Sequence, residues 1–305
     1  MKNKYLVLGA SGFIGASLVR KLAKENKDVY GFIRKGSNLW RLKNVSGIKM
    51  INGDITNKQD LTRKLIKINP THIVNLATYG VYRDQKDTSK IIETNLTGSL
   101  NLFEAAKKLK NLKLIINTGS VYEYGSLYGQ MKESIIAPAR NFYDASKIAT
   151  TSLAQAYSSL KILPICTLRP FTVYGPLEDS RRLIPSIIKT IQEGKKPQIA
   201  SNATRDFIYI DDLIDAYVLA LKKPKLVISQ TINLGSGQPT KVKDFVSLIA
   251  TSLKTDIKPI NALKFSSPQD SKCWSDIRKA KKILNWSPQT ENKEGINKTI
   301  AWLLK

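Results

Sequence analysis

The 305-residue sequence predicts an α/β fold, a doubly wound parallel sheet followed by a smaller C-terminal α/β domain. Three observations predict it. Short apolar runs alternate with helix-length amphipathic segments through the first half of the chain. The first run ends in a glycine turn, Gly9-Ala10-Ser11-Gly12-Phe13-Ile14-Gly15, that leads straight into a helical pattern. After Arg169 the alternation loosens, broken by Pro170, Gly175, Pro176 and Pro185.

Taken in order, strands are expected at 4–8, 29–33, 48–51, 72–76, 112–117 and 163–168. Helices are expected between them at 13–25, 60–68, 91–109 and 140–160. Parallel strands separated by helices of this length need right-handed crossovers, which place helices on both faces of the sheet. Shorter helices follow at 183–193, 211–221 and 242–253, with a basic helix at 275–286 ending in Trp286-Ser287-Pro288. The expected division is 1–168 and 169–305, with some later segments returning to the first domain.

Composition narrows the function classes. Hydrophobic residues make up 42% and charged residues 24%, enough to bury a core and too apolar for general disorder. Two cysteines, Cys166 and Cys273, cannot form a disulfide scaffold, and one histidine, His72, argues against a zinc site. No apolar run approaches the ~20 residues of a membrane span. The N-terminal apolar stretch runs into the glycine turn rather than a cleavage site, so a soluble, cytoplasmic protein is expected. The net charge of +25 calls for an anionic partner. It is spread over many helix positions, which argues against a nucleic-acid stripe and for phosphorylated small molecules.

The glycine turn is a phosphate loop. Gly9 permits the tight turn, Gly12 lets backbone approach a pyrophosphate, and Gly15 lets helix pack on strand. The helix start offers N–H groups to the phosphates, with Ser11, Phe13 and Ile14 around them. The ligand expected is a dinucleotide. Its identity should be set at the end of the second strand, where NAD enzymes usually carry an acid. Here that strand ends in Arg34-Lys35, which suits a 2′-phosphate, so NADP is expected over NAD. Asp54-Ile55, after the third strand, would lie beside the adenine.

The chemistry falls on a YxxxK, Tyr143 and Lys147, which share one helix face. A nearby ammonium favours the phenolate of a tyrosine acting as acid and base. Three other pairs match: Tyr82 with Lys86, Tyr128 with Lys132, and Tyr157 with Lys161. Tyr82 and Tyr128 fall in loop-like stretches. Tyr157 lies about 21 Å further along the helix than Tyr143, at 1.5 Å per residue. Ser120, after the fifth strand, stands at the carboxyl edge where such sheets bind ligands, and its hydroxyl could hold the same substrate oxygen as Tyr143.

With these residues on the page, the chain resembles the extended short-chain dehydrogenase/reductases, the nucleotide-sugar epimerases, dehydratases and 4-ketoreductases with a Rossmann-type sheet. The resemblance runs over nearly the whole chain: GASGFIG, Asn75-Leu76-Ala77, Asn95 to Leu102, Thr118-Gly119-Ser120 before Tyr124-Gly125, Tyr143 with Lys147, Leu168 to Pro176, Arg205 to Asp212, Asn233 to Gly237, and Trp286-Ser287-Pro288. It implies that Ser120, Tyr143 and Lys147 are catalytic. It implies that Leu76, Ala77, Pro170 and Phe171 border the cofactor. Tyr79, Ser120, Val121, Tyr122, Thr172 and Arg205 would border the substrate, with Arg205 on its diphosphate. It further implies a substrate-binding C-terminal domain and a homodimer through the helices 91–109 and 140–160.

Departures from the family's patterns shape the expected reaction. The family's 4,6-dehydratases carry Thr-Asp-Glu where this chain has Ser120-Val121-Tyr122, with only Glu123 nearby. Elimination is therefore disfavoured. Many members have Arg-Pro-Gly-Asp where this chain has Ser267-Pro268-Gln269-Asp270, and many have asparagine where it has Thr172, a position at which some sugar epimerases carry threonine. With NADP favoured, the main expectation is NADPH-dependent reduction of a nucleotide-linked 4-keto-6-deoxyhexose. The alternative is an NAD-dependent nucleotide-sugar 4-epimerase, and the third is the 4,6-dehydratase.

Overall fold

Seven strands form one sheet in the order Thr231–Leu234, Ile165–Pro170, Leu114–Thr118, His72–Asn75, Lys4–Leu8, Asp28–Ile33 and Ile48–Asn52. The six from Ile165–Pro170 to Ile48–Asn52 pair in parallel. This is the Rossmann-like arrangement, seen in a computed structural model that describes residues 2–82, 84–200, 203–261 and 272–304. Lys4–Leu8 pairs with Asp28–Ile33 on one side and His72–Asn75 on the other. The winding therefore reverses at that strand, and the crevice at its carboxyl end is where such sheets bind ligands.

Burial follows the order of the sheet. His72–Asn75, Leu114–Thr118 and Ile165–Pro170 are buried along their whole length, as strands covered on both faces must be. The edge strand Ile48–Asn52 is only partly covered. Leu6, Leu8, Ile73, Ile115, Leu61, Leu65 and Phe103 form one apolar cluster between sheet and helices. Each such side chain contributes roughly 1.5–3 kcal/mol on burial.

Local signals fix where the helices begin. Asn57, Asp87 and Asn141 each accept a backbone N–H three residues on, from Asp60, Lys90 and Asp144. The helix expected at 140–160 therefore starts at Phe142, one residue past its cap, and runs Phe142–Ser159. The helix expected at 91–109 spans three pieces, Thr88–Ile92, a π-helical turn Glu93–Thr97, and Gly98–Ala106. Such π turns concentrate at functional sites.

Contacts group the chain into two units. One comprises Met1–Glu123, Ala139–Arg169 and Ile214–Ile232; the other comprises Tyr124–Pro138, Pro170–Leu213 and Asn233–Lys305. The second unit is built on short strand pairs, Phe207–Tyr209 with Thr172–Tyr174, Lys272–Ser275 with Tyr128–Met131, and Thr204–Arg205 with Thr240–Lys241. Its core is aromatic: the Phe245 ring lies 4.0 Å from Phe207 and 5.1 Å from Tyr174.

Several elements differ from expectation. Tyr128 lies in a strand, not a loop. Ser275 closes the strand Lys272–Ser275, and the basic helix is confined to Arg278–Leu284, stopped by Asn285 at φ +53°. The strand Thr231–Leu234 and the terminal helix Asn292–Leu303 were not anticipated. These short strands are made by distant pairing and leave little periodicity behind. The stretch Ser267-Pro268-Gln269-Asp270 lies outside the described residues.

Candidate active site

The glycine turn has no room for side chains. Gly9 sits at φ +74°, and a Cβ there would come within 2.7 Å of the Leu76 carbonyl. A Cβ on Gly15 would meet the Gly9 carbonyl oxygen at 2.2 Å. The Gly12 N–H donates back to that oxygen at 3.0 Å, tightening the turn. Gly12 then starts the helix Phe13–Lys24 with no side-chain cap, so the first N–H groups are left for an anion. Leu76 and Ala77, against this turn, continue the neighbouring strand through the Leu76 N–H, which donates to Leu8 at 3.1 Å. Turn, uncapped helix and strand end together fit a dinucleotide.

The residues expected at the adenosine end are less uniform. Arg34 and Lys35 are exposed just past the strand Asp28–Ile33. Asp54 accepts both the N–H and the hydroxyl of Thr56 on Oδ1, at 2.9 Å each, closing a turn. Ile55 is buried beneath Gly98, where a Cβ would approach it to 2.7 Å. Sequence reasoning missed Arg41. Its buried guanidinium reaches the Ser11 carbonyl at 3.4 Å, while its own carbonyl accepts from Arg20 at 2.8 Å.

Near the end of the strand Leu114–Thr118 lie the residues expected to act as acid and base. Lys147 is buried, and its ammonium donates to the Thr118 carbonyl. Burial pushes this lysine down to about 8, against the opposing pull of the Glu123 carboxylate. Tyr143, one helical turn earlier, is half-buried, its ring edge-on to Tyr122 at 6.0 Å and beside Gly80. The phenol is thus neither sealed in the interior nor fully exposed. Ser120 is buried, and its Oγ accepts the Tyr122 N–H at 3.2 Å, leaving the hydroxyl proton to be donated elsewhere.

Two supports hold this set, and neither was read from the sequence. Asn95, in the π turn, accepts the Tyr79 N–H at 2.8 Å and donates to the Tyr79 carbonyl and to Ser146 Oγ, each at 2.9 Å. Ser146 in turn donates to the Tyr143 carbonyl at 2.7 Å. Asn95 therefore joins the Tyr79 loop to the helix start that carries Tyr143. The second support is ionic: Asp144 accepts from Arg140 at 2.6 Å, and that guanidinium lies 5.3 Å from the Tyr122 ring centre. The four-residue spacing of Arg140 and Asp144 was the available signal.

Glu123 settles differently from a free catalytic acid. Its Oε1 accepts the Ser120 N–H at 2.7 Å, and its Oε2 accepts from Arg169 at 2.8 Å with both side chains buried. A carboxylate so held is not placed for water elimination. Val121, beside it, is buried.

The remaining expected residues belong to the second unit. Phe171 is buried 6.0 Å from the Tyr124 ring, and its N–H donates to Leu234. Thr172 donates its N–H to the Asp206 carbonyl at 2.9 Å. Arg205 is half-buried, and one nitrogen reaches the Thr204 carbonyl at 3.2 Å. Asp206 accepts from the N–H and hydroxyl groups of Ser236 and Ser275, and from the Gly237 N–H.

Among the described residues there is no cluster able to hold a metal ion, and no helix is long and apolar enough to cross a membrane. The chain is 32% identical over 315 residues, 98% of this chain and 95% of the other, to a UDP-glucuronate 4-epimerase of Thermodesulfobacterium geofontis. It is 29% identical to a UDP-glucose 4-epimerase of Mycolicibacterium smegmatis, covering 97% of each. A crystal structure of UDP-glucuronic acid 4-epimerase from Bacillus cereus, in complex with UDP-glucuronic acid and NAD, superposes with a TM-score of 0.88 at 30% identity, covering 99% of each chain. Residues 5–235 match the profile of the NAD dependent epimerase/dehydratase family, and the chain belongs to that family of enzymes.

Proposed function

We propose that the chain is an NAD-dependent 4-epimerase of a UDP-hexose, with UDP-glucuronate the first substrate to test. The observation that carries this is the Ser120, Tyr143 and Lys147 set, beside a Glu123 that is tied up in an ion pair. Such a set supports reversible proton transfer at a sugar hydroxyl and lacks a free acid for elimination. Relatives at 29–32% identity are 4-epimerases of UDP-glucuronate or UDP-glucose.

This reading replaces the NADPH-dependent reductase expected from Arg34-Lys35. The Bacillus cereus structures at 28–30% identity are complexes with NAD, so a preference for NADP has no support from them. Both basic residues are exposed, where a cation is as readily part of the general surface charge as a phosphate ligand.

The glycine turn would hold the diphosphate of NAD, and Lys147 with Leu76 and Ala77 would border the remainder. Bound NAD supplies reversible hydride chemistry at the sugar's C4. Tyr143 takes the proton of the 4-hydroxyl as that oxygen becomes a carbonyl, and later returns it. Ser120 donates its free hydroxyl proton to the same oxygen, steadying the charge that develops there. The Lys147 ammonium keeps the phenolate form of Tyr143 accessible. Arg205 and Thr172 are the residues proposed for the nucleotide sugar, and Pro170 and Phe171 those proposed for the cofactor. Two copies assemble through the helical segments 88–106 and 142–159, and light scattering tests whether the enzyme is a dimer.

The test is NMR of UDP-glucuronate and UDP-glucose incubated with the purified enzyme and no added reductant. The expected result is inversion at C4 with no net change in reduced nicotinamide. If neither sugar inverts while a 4-keto-6-deoxy sugar consumes NADPH mole for mole, the epimerase reading is wrong and reduction takes its place.

A further inference from the structure

The loop that carries Ser120 is folded around one side chain. Glu123 takes the Ser120 N–H on Oε1 at 2.7 Å, and the Glu123 N–H donates to the Ser120 carbonyl at 3.0 Å. Both backbone polar groups of Ser120 are therefore spent on the same residue. The residue before Ser120 must be small for this to happen. A Cβ on Gly119 would lie 2.4 Å from Glu123 Oε1 and 3.1 Å from the Thr167 methyl. On its far side the carboxylate meets Arg169 at 2.8 Å, the two side chains only 3% and 7% exposed.

Lys147 meets the same short stretch of backbone: its ammonium donates to the Thr118 carbonyl, two residues before the Ser120 N–H that Glu123 accepts. Of the two influences on that lysine, burial disfavours the charge and the Glu123 carboxylate restores part of it. In a dry interior such a field is weakly screened, unlike that of a surface acid.

We propose that Glu123, clamped by Arg169, is a positioning residue for the reaction: it orients the Ser120 hydroxyl and sets its negative charge against the stretch of backbone that holds the Lys147 ammonium. The inference rests on the 4-epimerase reading for its kinetic arm only. Both Glu123 oxygens are engaged within the protein, one by the Ser120 N–H and one by Arg169. Glu123 acts through Ser120 by hydrogen bonds and through Lys147 by charge.

The test compares wild type with Glu123→Gln, which retains the volume and an acceptor oxygen but removes the charge. In protein labelled with [15N]lysine, the Lys147 ammonium signal, assigned from Lys147→Arg, is titrated in both. The midpoint is expected to fall by about one unit in the variant. On UDP-glucuronate or UDP-glucose, kcat is expected to fall about 100-fold with KM and NAD affinity little changed. The lone variant strands Arg169 without its partner and can lose its fold. Glu123→Gln combined with Arg169→Gln removes both charges, and it should recover melting temperature while keeping the low kcat and part of the midpoint shift, since losing the Arg169 charge offsets some of the loss of the Glu123 charge. An unmoved Lys147 midpoint in the folded double variant, or a kcat equal to wild type, overturns the proposal. A loss of kcat without a midpoint shift does so too, since that is what a merely structural residue gives. If wild type inverts neither sugar, the 4-epimerase reading fails by itself. The midpoint comparison then decides the electrostatic action of Glu123 without any substrate.

Discussion

In the first unit the Ser120 loop is tied down by a buried ion pair, Glu123 with Arg169. In the second, the Asp206 carboxylate is held by neutral donors, from Ser236 N–H at 2.5 Å, Ser236 Oγ at 2.6 Å, Ser275 N–H at 2.9 Å, Ser275 Oγ at 2.5 Å and Gly237 N–H at 3.2 Å. Both carboxylates stitch loops together, but the physics differs. An ion pair in a dry site carries a field that other ionisable groups feel. A web of N–H and O–H donors acts through geometry alone. Perturbing the first unit should therefore change proton chemistry, and perturbing the second should change only how ligand is held.

The largest effect expected is at the centre of the first unit. Tyr143→Phe removes the proton donor and acceptor while keeping the ring against Tyr122. The kcat for C4 inversion should fall about 10³-fold, close to 4 kcal/mol of barrier. KM and NAD affinity should stay near wild type, since the hydroxyl serves only the reacting oxygen. Steady-state kinetics with a parallel NAD titration checks this. A Phe variant that still inverts C4 would remove Tyr143 from the mechanism and erase the contrast between units.

What the sequence made legible follows the same division. The first unit is made of local βα repeats, so period and punctuation carry through: 4–8 is the observed Lys4–Leu8, and 48–51 falls short of Ile48–Asn52 by one residue. The proposed site residues Ser120, Tyr143 and Lys147 lie just after a strand and in the first turns of a helix, positions that motif spacing makes readable. The second unit is stitched by pairs of short strands from distant segments, and Tyr128–Met131 with Lys272–Ser275 had no local signature. The supports were equally invisible. Asn95, Glu123 and Arg169 are polar residues whose partners are fixed by tertiary contact, and nothing in their neighbours' sequence names those partners. Glu123 drew notice only as a stray acid near the missing dehydratase pair, the opposite of the locked role the fold gives it.

Acid should act on the first unit. His72, the one histidine of the sequence, is buried in the central strand, stacked on Tyr5 at 4.9 Å and within 2.9 Å of the Thr71 hydroxyl. Burial, with Lys113 nearby, pushes it down from 6.5 to about 4. The unfolded chain takes up the proton below pH 6.5 and the folded chain resists until about pH 4. Stability is therefore complete above that window and lost as pH falls through it, by at most about 3 kcal/mol. Thermal melts across the window should show this loss, and His72→Gln should flatten it. If the slope survives the substitution unchanged, its source lies in carboxylates and not in His72.

A smaller effect is expected from the hydrogen-bonded hub. Asp206→Asn turns an amide NH₂ toward groups that are themselves donors, which costs about 2 kcal/mol of stability. The Ser236-Gly237 turn and Ser275 should loosen, and with them the strand carrying Arg205. KM for the UDP-sugar is expected to rise about tenfold while the pH profile of kcat stays where it was. A displaced pH profile would show that Asp206 acts through its charge after all, and the distinction between the units would fail.

The smallest effect tests whether burial, and not merely position in the first unit, gives a charge its reach. Arg34 follows the second strand at the expected adenosine end, yet it is exposed to solvent and salt. Its field is screened within about 8 Å at physiological ionic strength, whereas that of Glu123 is not. Arg34→Ser should therefore change NAD affinity by no more than about threefold, in the range of an exposed ion pair, and even that should vanish at high salt. NADP is the sharper probe, because a 2′-phosphate beside a guanidinium gains paired, charge-assisted bonds that distance alone does not give. Fluorescence titrations with both nucleotides, on wild type and Arg34→Ser, separate the two cases. Loss confined to NADP marks Arg34 as a phosphate ligand the enzyme can use. A large, salt-insensitive loss with NAD would mean that an exposed charge commands the site as strongly as the buried carboxylate beneath Ser120.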